Sequence, residues 1–297
     1  MSLVQIDDAS VARFPLQPLR HLDALWIQVA GTECNLSCAH CFVPSGPGID
    51  RHALMSRAQV RERVSEALAF GVRELYLTGG EPFVNPELFE ILGDSLAHLP
   101  CTVLTNGTLF TSARLAALRH LSDESRYALE LRMSLDGASA DAHDRVRGAG
   151  TFERTISGLI RCEAHDLCPI VTVTQWDESE PLEFRDQWVS MLRARGLRRP
   201  RLKVLPLFRL GRESERSGGY AREESLAGLT DDAFDPERLQ CGSSRAITSQ
   251  GVFVCPLLVD EPRARLGATL AEARTPFELR HGACFTCYRT GMTCGNG

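Results

Sequence analysis

The 297-residue sequence lacks any long hydrophobic run. No stretch reaches the roughly 18 consecutive apolar residues from which a transmembrane helix is inferred. Residues 1–15 include Asp7, Asp8 and Arg13 and lack the continuous apolar core of a secretory signal peptide. We therefore predict a cytoplasmic protein with no membrane partner.

Positive charge is also in short supply. The chain has 33 Lys and Arg residues against 38 Asp and Glu residues, and its formal net charge is −5. Proteins that bind nucleic acid through its phosphates carry a basic excess, so we predict no nucleic-acid partner. The apolar share of 43% and the charged share of 24% are instead typical of a globular enzyme with a sizeable core.

Cysteine, in contrast, is abundant. The chain has 11 cysteines, and without a signal peptide this number favours metal ligation over disulfides. Three lie between residues 34 and 41, and five follow residue 240. Cys101, Cys162 and Cys168 lie between these groups without ligand-like spacing, and we predict that they are small packing residues.

The first cysteine group follows the apolar segment 25–30. Cys34, Cys38 and Cys41 have C-x3-C-x2-C spacing on one short loop. Thiolates are the usual ligands of iron–sulfur cubes, and the cysteines cluster because each sulfur must reach a different corner. A cube needs four ligands, so either a distant residue completes the site or one iron is open to a ligand other than protein.

The chain from residue 25 to about residue 207 repeats a βα rhythm. Short apolar segments alternate with amphipathic ones, which predicts an α/β fold. The predicted strands are 25–30, 74–78, 102–104, 129–134, 170–174 and 202–205, and the predicted helices are 56–70, 85–98, 111–121, 152–165 and 182–195. Six right-handed βα units form either a partial (β/α)6 TIM-type barrel or a doubly wound sheet, with function at the C-terminal strand ends.

Short motifs follow three of the predicted strands. They are Gly79-Gly80-Glu81-Pro82, Asn106-Gly107 and Ser134-Leu135-Asp136-Gly137, and the segment from His143 to Gly148 comes next. Paired glycines allow close approach of the backbone to a ligand, and Arg147 is suited to bidentate binding of a carboxylate. Taken singly, the same motifs are also typical of turns, helix caps and a solvated surface arginine.

Together with the cysteine triplet, these motifs resemble the radical S-adenosylmethionine (SAM) enzymes. That family has the signature C-x3-C-x-aromatic-C, with His40 in the aromatic position. The resemblance implies that Cys34, Cys38 and Cys41 hold a [4Fe–4S] cluster whose open iron binds the amino and carboxylate groups of SAM. It also implies SAM contacts from Gly79, Gly80, Glu81, Pro82, Asn106, Ser134, Asp136 and Arg147, with Glu81 at the amino group and Arg147 at the carboxylate.

The second cysteine group lies between residues 241 and 294. Cys241 and Cys255 flank a predicted hairpin about Gln250-Gly251, a helix is predicted over 270–279, and Cys284-x2-Cys287-x6-Cys294 follows. A hairpin pair with a C-x2-C pair also builds a zinc ribbon. Judged by itself, this region is therefore compatible with zinc or with an iron–sulfur cluster.

Joined to the first group, this region resembles the SPASM extension, or its shorter form Twitch, which holds auxiliary [4Fe–4S] clusters. The match is imperfect, because the spacing after Gly251 is G-x3-C and the last cysteine run is shortened. These departures favour one auxiliary cluster, held by four of Cys241, Cys255, Cys284, Cys287 and Cys294. Either Cys241 or Cys294 is then a spare thiol, or the substrate holds the fourth iron, and the sequence leaves these possibilities open.

The resemblance divides the chain into four parts. They are an N-terminal extension (1–24), a radical SAM partial barrel (25–212), a linker rich in charge, Ser and Gly (213–240), and a cysteine-rich hairpin-plus-helix auxiliary domain (241–297). Leu210-Gly211-Arg212 resembles the Gly-Arg that closes the barrel in this subgroup.

The resemblance implies reductive cleavage of SAM to a 5′-deoxyadenosyl radical, which abstracts hydrogen from an unactivated C–H bond. We expect an external reductant such as flavodoxin or ferredoxin and a small natural-product intermediate, aminoglycoside- or aminocyclitol-like, as substrate. The reaction would end in epimerisation, with Cys241 or Cys294 as hydrogen donor, or in two-electron alcohol oxidation, with the auxiliary cluster as acceptor.

Two alternatives stay open. One is a peptide maturase that forms thioether or carbon–carbon crosslinks; only 33 residues precede Cys34, which we expect to be too few for a leader-binding domain. The other is a non-catalytic zinc or iron–sulfur module for binding or electron transfer, which would give Gly79, Ser134 and Arg147 no purpose.

Overall fold

The computed structural model describes residues 13–176 and 180–295. The strands are β1 (Leu16–Gln17), β2 (Ala24–Gln28), β3 (Glu74–Thr78), β4 (Cys101–Thr105), β5 (Leu129–Ser134), β6 (Ile170–Gln175), β7 (Arg201–Pro206), β8 (Ser244–Thr248), β9 (Gly251–Phe253), β10 (Arg265–Gly267) and β11 (Phe277–Glu278). The helices are α1 (Arg57–Ala69), α2 (Leu88–Leu96), α3 (Ser112–Glu124), α4 (Ala140–Arg147), α5 (Thr151–Ala164), α6 (Pro181–Ala194), α7 (Gly211–Ser217) and α8 (Gly282–Thr290). No described helix is both long enough and apolar enough to cross a membrane.

The main sheet has nine strands in the order β10-β9-β8-β2-β3-β4-β5-β6-β7. Strands β2 to β7 are parallel and lie in chain order. A doubly wound sheet reverses its strand order at a switch point, and no reversal occurs here. The predicted α/β class is therefore confirmed, and of the two predicted architectures the partial barrel is the one observed.

The predicted barrel elements are present with small shifts of their ends. Strands 74–78 and 129–134 have the predicted bounds, and the five predicted helices correspond to α1, α2, α3, α5 and α6. The short helix α4 was not predicted. It follows β5 directly, so it brings the segment from His143 to Arg147 to the carboxyl end of the barrel.

The C-terminal hairpin is confirmed, but it extends the barrel sheet. Strand β8 pairs antiparallel with β9 and parallel with β2, with Ile27 opposite Ile247. All five residues of β8 are buried, as expected for a strand with neighbours on both sides. At the other end of this region, β11 pairs with the N-terminal strand β1.

The predicted helix over 270–279 is wrong. The segment instead contains a 3-10 turn, Glu272–Arg274, and then strand β11. Pro276 explains the difference, because proline disfavours helical backbone at the preceding residue and lacks an N–H donor. The helix of this region is α8, which carries Cys284 and Cys287.

The sheet separates two apolar clusters. On β2, Leu25 and Ile27 face the helices, whereas Trp26 faces a second cluster that includes C-terminal residues such as Leu257 and Cys284. This alternation follows from the two-residue period of a strand. Cys101 and Cys162 are fully buried in the first cluster, and Cys168 is half-buried.

Helix α5 begins at a cap supplied by its neighbour. Its own N-cap residue, Gly150, has no side-chain acceptor. Asp144 of α4 takes this role, because its carboxylate accepts from the backbone N–H groups of Gly150 at 2.6 Å and Phe152 at 2.8 Å. These hydrogen bonds lower the pKa of Asp144 against the opposing effect of burial.

We predict that Asp144→Ala lowers the free energy of unfolding by about 1–2 kcal/mol, the cost of losing a helix cap. Urea denaturation followed by circular dichroism measures this change. Asp50→Ala is the matched control, because Asp50 is exposed. Equal stability of the two variants would contradict the capping role.

Candidate active site

One cavity lies at the carboxyl ends of the barrel strands. Eleven residues selected from the sequence line it, namely Cys34, Cys38, His40, Cys41, Gly79, Gly80, Asn106, Ser134, Asp136, Arg147 and Cys294. Parallel strands place their following loops at one edge, which is why motifs far apart in the chain meet here. Glu81 and Pro82 lie behind the cavity wall and do not line it.

The cysteine loop is joined to the loop after β3 by backbone hydrogen bonds. Gly80 N donates to Gly31 O at 2.8 Å, and Glu81 N donates to Glu33 O at 3.0 Å. A Cβ on Gly80 would lie 2.1 Å from Glu33 O and 2.8 Å from the Cβ of Cys34. Only glycine permits this approach, so the Gly-Gly pair sets the position of the first cysteine.

Glu81 is buried and faces the end of β4. Its carboxylate accepts from Thr105 Oγ1 at 2.7 Å, Asn106 N at 2.7 Å and Phe83 N at 3.2 Å. Burial raises its pKa, although these donors act in the opposite direction. The observed contacts join the ends of β3 and β4, whereas contact of Glu81 with the SAM amino group stays a prediction.

Asn106 connects the end of β4 to the cysteine loop. Its Nδ2 donates to Asn35 Oδ1 at 2.8 Å, and Asn35 Nδ2 donates to Thr108 Oγ1 at 2.9 Å. Asn35 lies between the first two cysteines, and sequence reasoning missed its role. The amide is visible in the C-x3-C spacer, but its partner is supplied only by the fold.

Three charged or titratable side chains form a group beside Cys38, in which Asp136 is buried and His40 and Arg147 are partly exposed. Asp136 Oδ2 contacts His40 Nε2 at 2.9 Å and also pairs with the guanidinium of Arg147. Burial by itself would raise the pKa of Asp136, but Arg147 and His40 outweigh it and hold the pKa well below its usual range. Arg147 Nη1 also lies 4.0 Å from Cys38 Sγ.

The observed contacts of Arg147 are thus Asp136 and Cys38. Burial raises the pKa of Cys38, and the positive charge of Arg147 opposes that rise. A cation next to a ligating sulfur favours the thiolate, which is the form that binds iron. The predicted pairing of Arg147 with the SAM carboxylate stays a prediction.

His143 positions this group from the same face of α4 that carries Arg147. It lies one helical turn before Arg147, and its Nδ1 accepts from Asp136 N at 3.1 Å. Burial, followed by the charge of Arg147, lowers the pKa of His143 to about 4, so the ring is neutral near pH 7. His143 thus holds the backbone of Asp136, while Arg147 holds its carboxylate.

Arg212 fastens the cysteine loop to the end of the barrel. Its guanidinium donates to Cys38 O at 3.1 Å and Ser45 O at 2.9 Å, and its backbone N donates to Cys41 O at 3.0 Å. The Gly-Arg pair singled out in the sequence therefore lies against the cysteine loop, at the start of α7.

A second cavity is lined by all five C-terminal cysteines, Cys241, Cys255, Cys284, Cys287 and Cys294. Cys294, Pro256 and Leu257 line the first cavity too, so the two cavities meet at this wall. All eleven cysteines of the chain are free thiols.

A single metal ion and an iron–sulfur cluster require different arrangements of the thiols around the two cavities. Within residues 13–176 and 180–295, no three His, Cys, Asp or Glu side chains form a group that could hold one metal ion. Zinc needs four ligand atoms about 2.0–2.3 Å from one point. An iron–sulfur cube instead takes each thiolate at a different corner, and thiols spread around a cavity fit that requirement.

Residues 29–175 match the family model described as the Radical SAM superfamily, and the chain carries a radical SAM domain. Such a domain uses a [4Fe–4S] cluster and SAM, and solved structures of similar fold contain bound SAM. The residues around the first cavity fit these cofactors, because three thiols and a ring of polar strand-end groups converge there.

Sequence relatives match mainly this domain. An AdoMet-dependent heme synthase of Methanosarcina barkeri is 36% identical over 136 residues, which is 45% of this chain and 37% of that protein. The mycofactocin maturase MftC of Mycobacterium ulcerans is 35% identical over 133 residues, which is 42% of this chain and 32% of that protein. The matches thus span about a third of these relatives' length.

Among solved structures, SuiB of Streptococcus suis bound to SAM is similar in fold. The TM-score is 0.59 at 14% identity, and the match covers 82% of this chain and 62% of SuiB. At this identity, the likeness concerns the fold alone.

We predict that Gly80→Ala lowers SAM cleavage by about 100-fold, the effect expected when reacting groups are displaced by about 1 Å. The added methyl group would meet Glu33 O and push the cysteine loop away from β3. The measurement is formation of 5′-deoxyadenosine from SAM and dithionite under anaerobic conditions, with iron content determined in parallel.

Gly93→Ala is the control for this substitution. Gly93 lies in α2, where a Cβ would meet nothing closer than Leu121 Cδ2 at 3.6 Å. Gly93→Ala should retain wild-type cleavage. Wild-type cleavage by Gly80→Ala would show that the close approach to the cysteine loop is dispensable.

Proposed function

We propose that the chain cleaves SAM reductively to a 5′-deoxyadenosyl radical and abstracts hydrogen from an unactivated C–H bond of a small polar natural-product intermediate. The observation that carries this proposal is the convergence of the cysteine triplet, the Gly-Gly pair, Ser134 and Arg147 on one cavity. An external reductant such as flavodoxin or ferredoxin would supply electrons.

The residues divide the work by their position. Cys34, Cys38 and Cys41 would hold the cluster, and Gly79, Gly80, Asn106, Ser134, Asp136 and Arg147 would contact SAM. A [4Fe–4S] cluster held there would supply the electron that breaks a C–S bond of the SAM sulfonium. The walls of the cavity, formed in part by Trp26, Leu104 and Phe208, exclude water and other C–H donors from the radical.

An auxiliary [4Fe–4S] cluster held by Cys241, Cys255, Cys284 and Cys287 is the second part of the proposal. These four thiols line only the second cavity, whereas Cys294 lines both. This arrangement favours Cys294 over Cys241 as the spare thiol. A zinc site is disfavoured by the lack of a single-ion donor group among the described residues.

Cys294 would return a hydrogen atom to the substrate radical, which completes an epimerisation. The S–H bond breaks, the new C–H bond forms, and the thiyl radical takes one electron and one proton from the reductant and solvent. In the other outcome, the substrate radical loses one electron and one proton and an alcohol becomes a carbonyl. The four-cysteine site would then be the nearest electron acceptor.

A second candidate function is maturation of a peptide. Its support is the likeness of the radical SAM domain to the mycofactocin maturase and to the AlbA protein of subtilosin biosynthesis, subtilosin being an antilisterial bacteriocin. Those matches cover 42% and 49% of this chain, so they bear on the radical chemistry more than on the substrate. An aminocyclitol-like substrate stays a prediction from the sequence.

We predict about eight irons and an equal amount of sulfide per chain in anaerobically purified protein, because two cubes are proposed. Joint replacement of Cys34, Cys38 and Cys41 by alanine should leave about four irons and abolish SAM cleavage, with an auxiliary signal still visible by electron paramagnetic resonance.

The iron content of two further variants tests which cysteines bind the auxiliary cluster. Cys284→Ala with Cys287→Ala should also leave about four irons, whereas Cys294→Ala should keep about eight. Zinc without sulfide in the wild-type protein would refute the auxiliary cluster. Loss of four irons in Cys294→Ala would instead make Cys294 a ligand.

We further predict that the wild-type enzyme, turned over with SAM in D2O without substrate, forms monodeuterated 5′-deoxyadenosine. The S–D group of Cys294 is exchangeable and weaker than the C–D bond that forms, so the 5′-deoxyadenosyl radical should take its deuterium. Mass spectrometry of the nucleoside measures the label.

Cys294→Ala should lose this label, and Cys168→Ala should retain it because Cys168 lines neither cavity. Label retained in Cys294→Ala would exclude Cys294 as the thiol that faces the radical.

A further inference from the structure

Arg132 is a buried charge at the inner end of the first cavity. It lies on β5 two residues before Ser134, and only 2% of its surface is exposed. Its Nε donates to Thr172 Oγ1 at 3.3 Å, and its Nη1 donates to the carbonyl of Cys294. Both acceptors are neutral, and no ion pair found in the described part of the chain includes Arg132.

A buried guanidinium without a counter-anion is costly. Asp136 is the only carboxylate among the described residues that line the cavity, and Arg147 and His40 already pair with it. Two titratable neighbours supply no counter-anion, because Lys203 has the same sign as Arg132 and burial raises the pKa of the Cys294 thiol, which favours its neutral form. Burial and then the charge of Arg132 lower the pKa of Lys203. The inner end of the cavity is therefore electropositive.

Two further polar groups in the same cavity are unpartnered. Trp26 Nε1 and Gln28 Oε1 have no hydrogen-bond partner, although their residues are only 2% and 3% exposed. They alternate on β2 and both line the cavity. Buried donors and acceptors of this kind normally have partners, so a polar ligand is indicated independently of Arg132.

SAM is not the ligand that these groups require. Its carboxylate is expected at the cysteine loop, beside Arg147 and the cluster that the three thiols would hold. Arg132 is one inward-facing position deeper on β5 and contacts the C-terminal tail at Cys294. An anion that reaches Arg132 must therefore belong to a molecule lying between SAM and the tail.

We propose that Arg132 binds a carboxylate of the substrate at the inner end of the cavity, while Trp26 Nε1 donates to a second oxygen of the same molecule. The inference rests on the proposed function, because it takes this cavity as the substrate site. The inferred substrate is therefore an acid and not the cationic aminocyclitol expected from the sequence, because the described wall of the cavity offers no unpaired carboxylate to an ammonium group. The reacting carbon then lies between Arg132 and the cysteine loop, beside Cys294.

The test uses the SAM-bound holoenzyme labelled with 15N, with acetate as the minimal carboxylate and acetamide as its neutral isostere. In 1H–15N NMR spectra, the indole N–H signal of Trp26 is assigned by its loss in Trp26→Phe. This signal should shift when acetate is added and should not shift when acetamide is added. Arg132→Gln should raise the Kd of acetate, obtained from this shift, roughly tenfold or more, as expected when a charge-assisted hydrogen bond is lost.

Arg132→Lys should keep part of the response because the charge remains. Arg145→Gln is the matched control, since it removes an exposed arginine from α4 and should respond as the wild type does. An equal shift with acetate and acetamide would overturn the proposal without any variant. So would an undiminished acetate response in Arg132→Gln, including one accompanied by a changed auxiliary-cluster spectrum.

Failure of this inference can be distinguished from failure of the proposed function. Formation of 5′-deoxyadenosine by the wild type needs no substrate, so its absence would refute the function whatever acetate does. Normal SAM cleavage without an acetate-specific shift would refute only the carboxylate site.

Two larger probes then identify the source of the carboxylate. Gluconate represents a small polyhydroxy acid, and N-acetylglycine represents the C-terminus of a peptide, each compared with its amide. Tighter binding of gluconate would support a small-molecule acid, and tighter binding of N-acetylglycine would support a peptide end. No preference for either acid over its amide would overturn the carboxylate site.

Discussion

The loop that carries Cys34, Cys38 and Cys41 must be held by its neighbours, because residues 34–41 form no helix or strand of their own. Backbone groups of Gly80 and Glu81 hold it at β3, Asn106 holds it at β4, and Arg212 holds it after β7. These contacts come from strand ends that are fixed by parallel pairing in the sheet. The position of the cysteine loop in the first cavity thus depends on the order of the barrel strands.

The buried charges of the barrel fall into two groups with different compensation. Near the cysteine loop, Asp136 balances Arg147 and is supported by His40 and, through its backbone, by His143. Deeper in the cavity, Arg132 has only neutral acceptors. A satisfied network keeps its geometry before any ligand arrives, whereas an uncompensated charge favours a ligand of opposite sign. The same interior therefore combines a rigid upper wall with an electropositive inner end.

The C-terminal region forms part of the barrel and of the cavity wall. Strand β8 adds to the sheet beside β2, and the tail brings Cys294 against Arg132. Cys294, Pro256 and Leu257 form the wall between the two cavities. One thiol of the second cavity, that of Cys294, therefore also lines the first. This contact is the physical basis for the proposed role of Cys294 at the first cavity.

Much of this arrangement was determined locally by the sequence. Apolar segments of strand length, serine and threonine caps and paired glycines specified the six barrel strands, the strand end at Ser134 and the loops that carry Cys34 and Asn106. Local residue patterns suffice to predict these elements, because each strand or helix buries its own apolar face and each turn requires particular backbone dihedral angles. The helix expected over 270–279 failed for an equally local reason, the proline at position 276.

Only the tertiary structure decided which groups meet. Glu81 faces the end of β4 instead of the cavity, Asn35 finds Asn106, and Cys294 reaches the barrel interior beside Arg132. These contacts join residues separated by 25 to 162 positions, and their distances follow from strand register and sheet curvature, which no local pattern encodes. The sequence alone thus determined the chemistry available at the strand ends, and the packing of the C-terminal region against the sheet decided which thiol and which arginine face the first cavity.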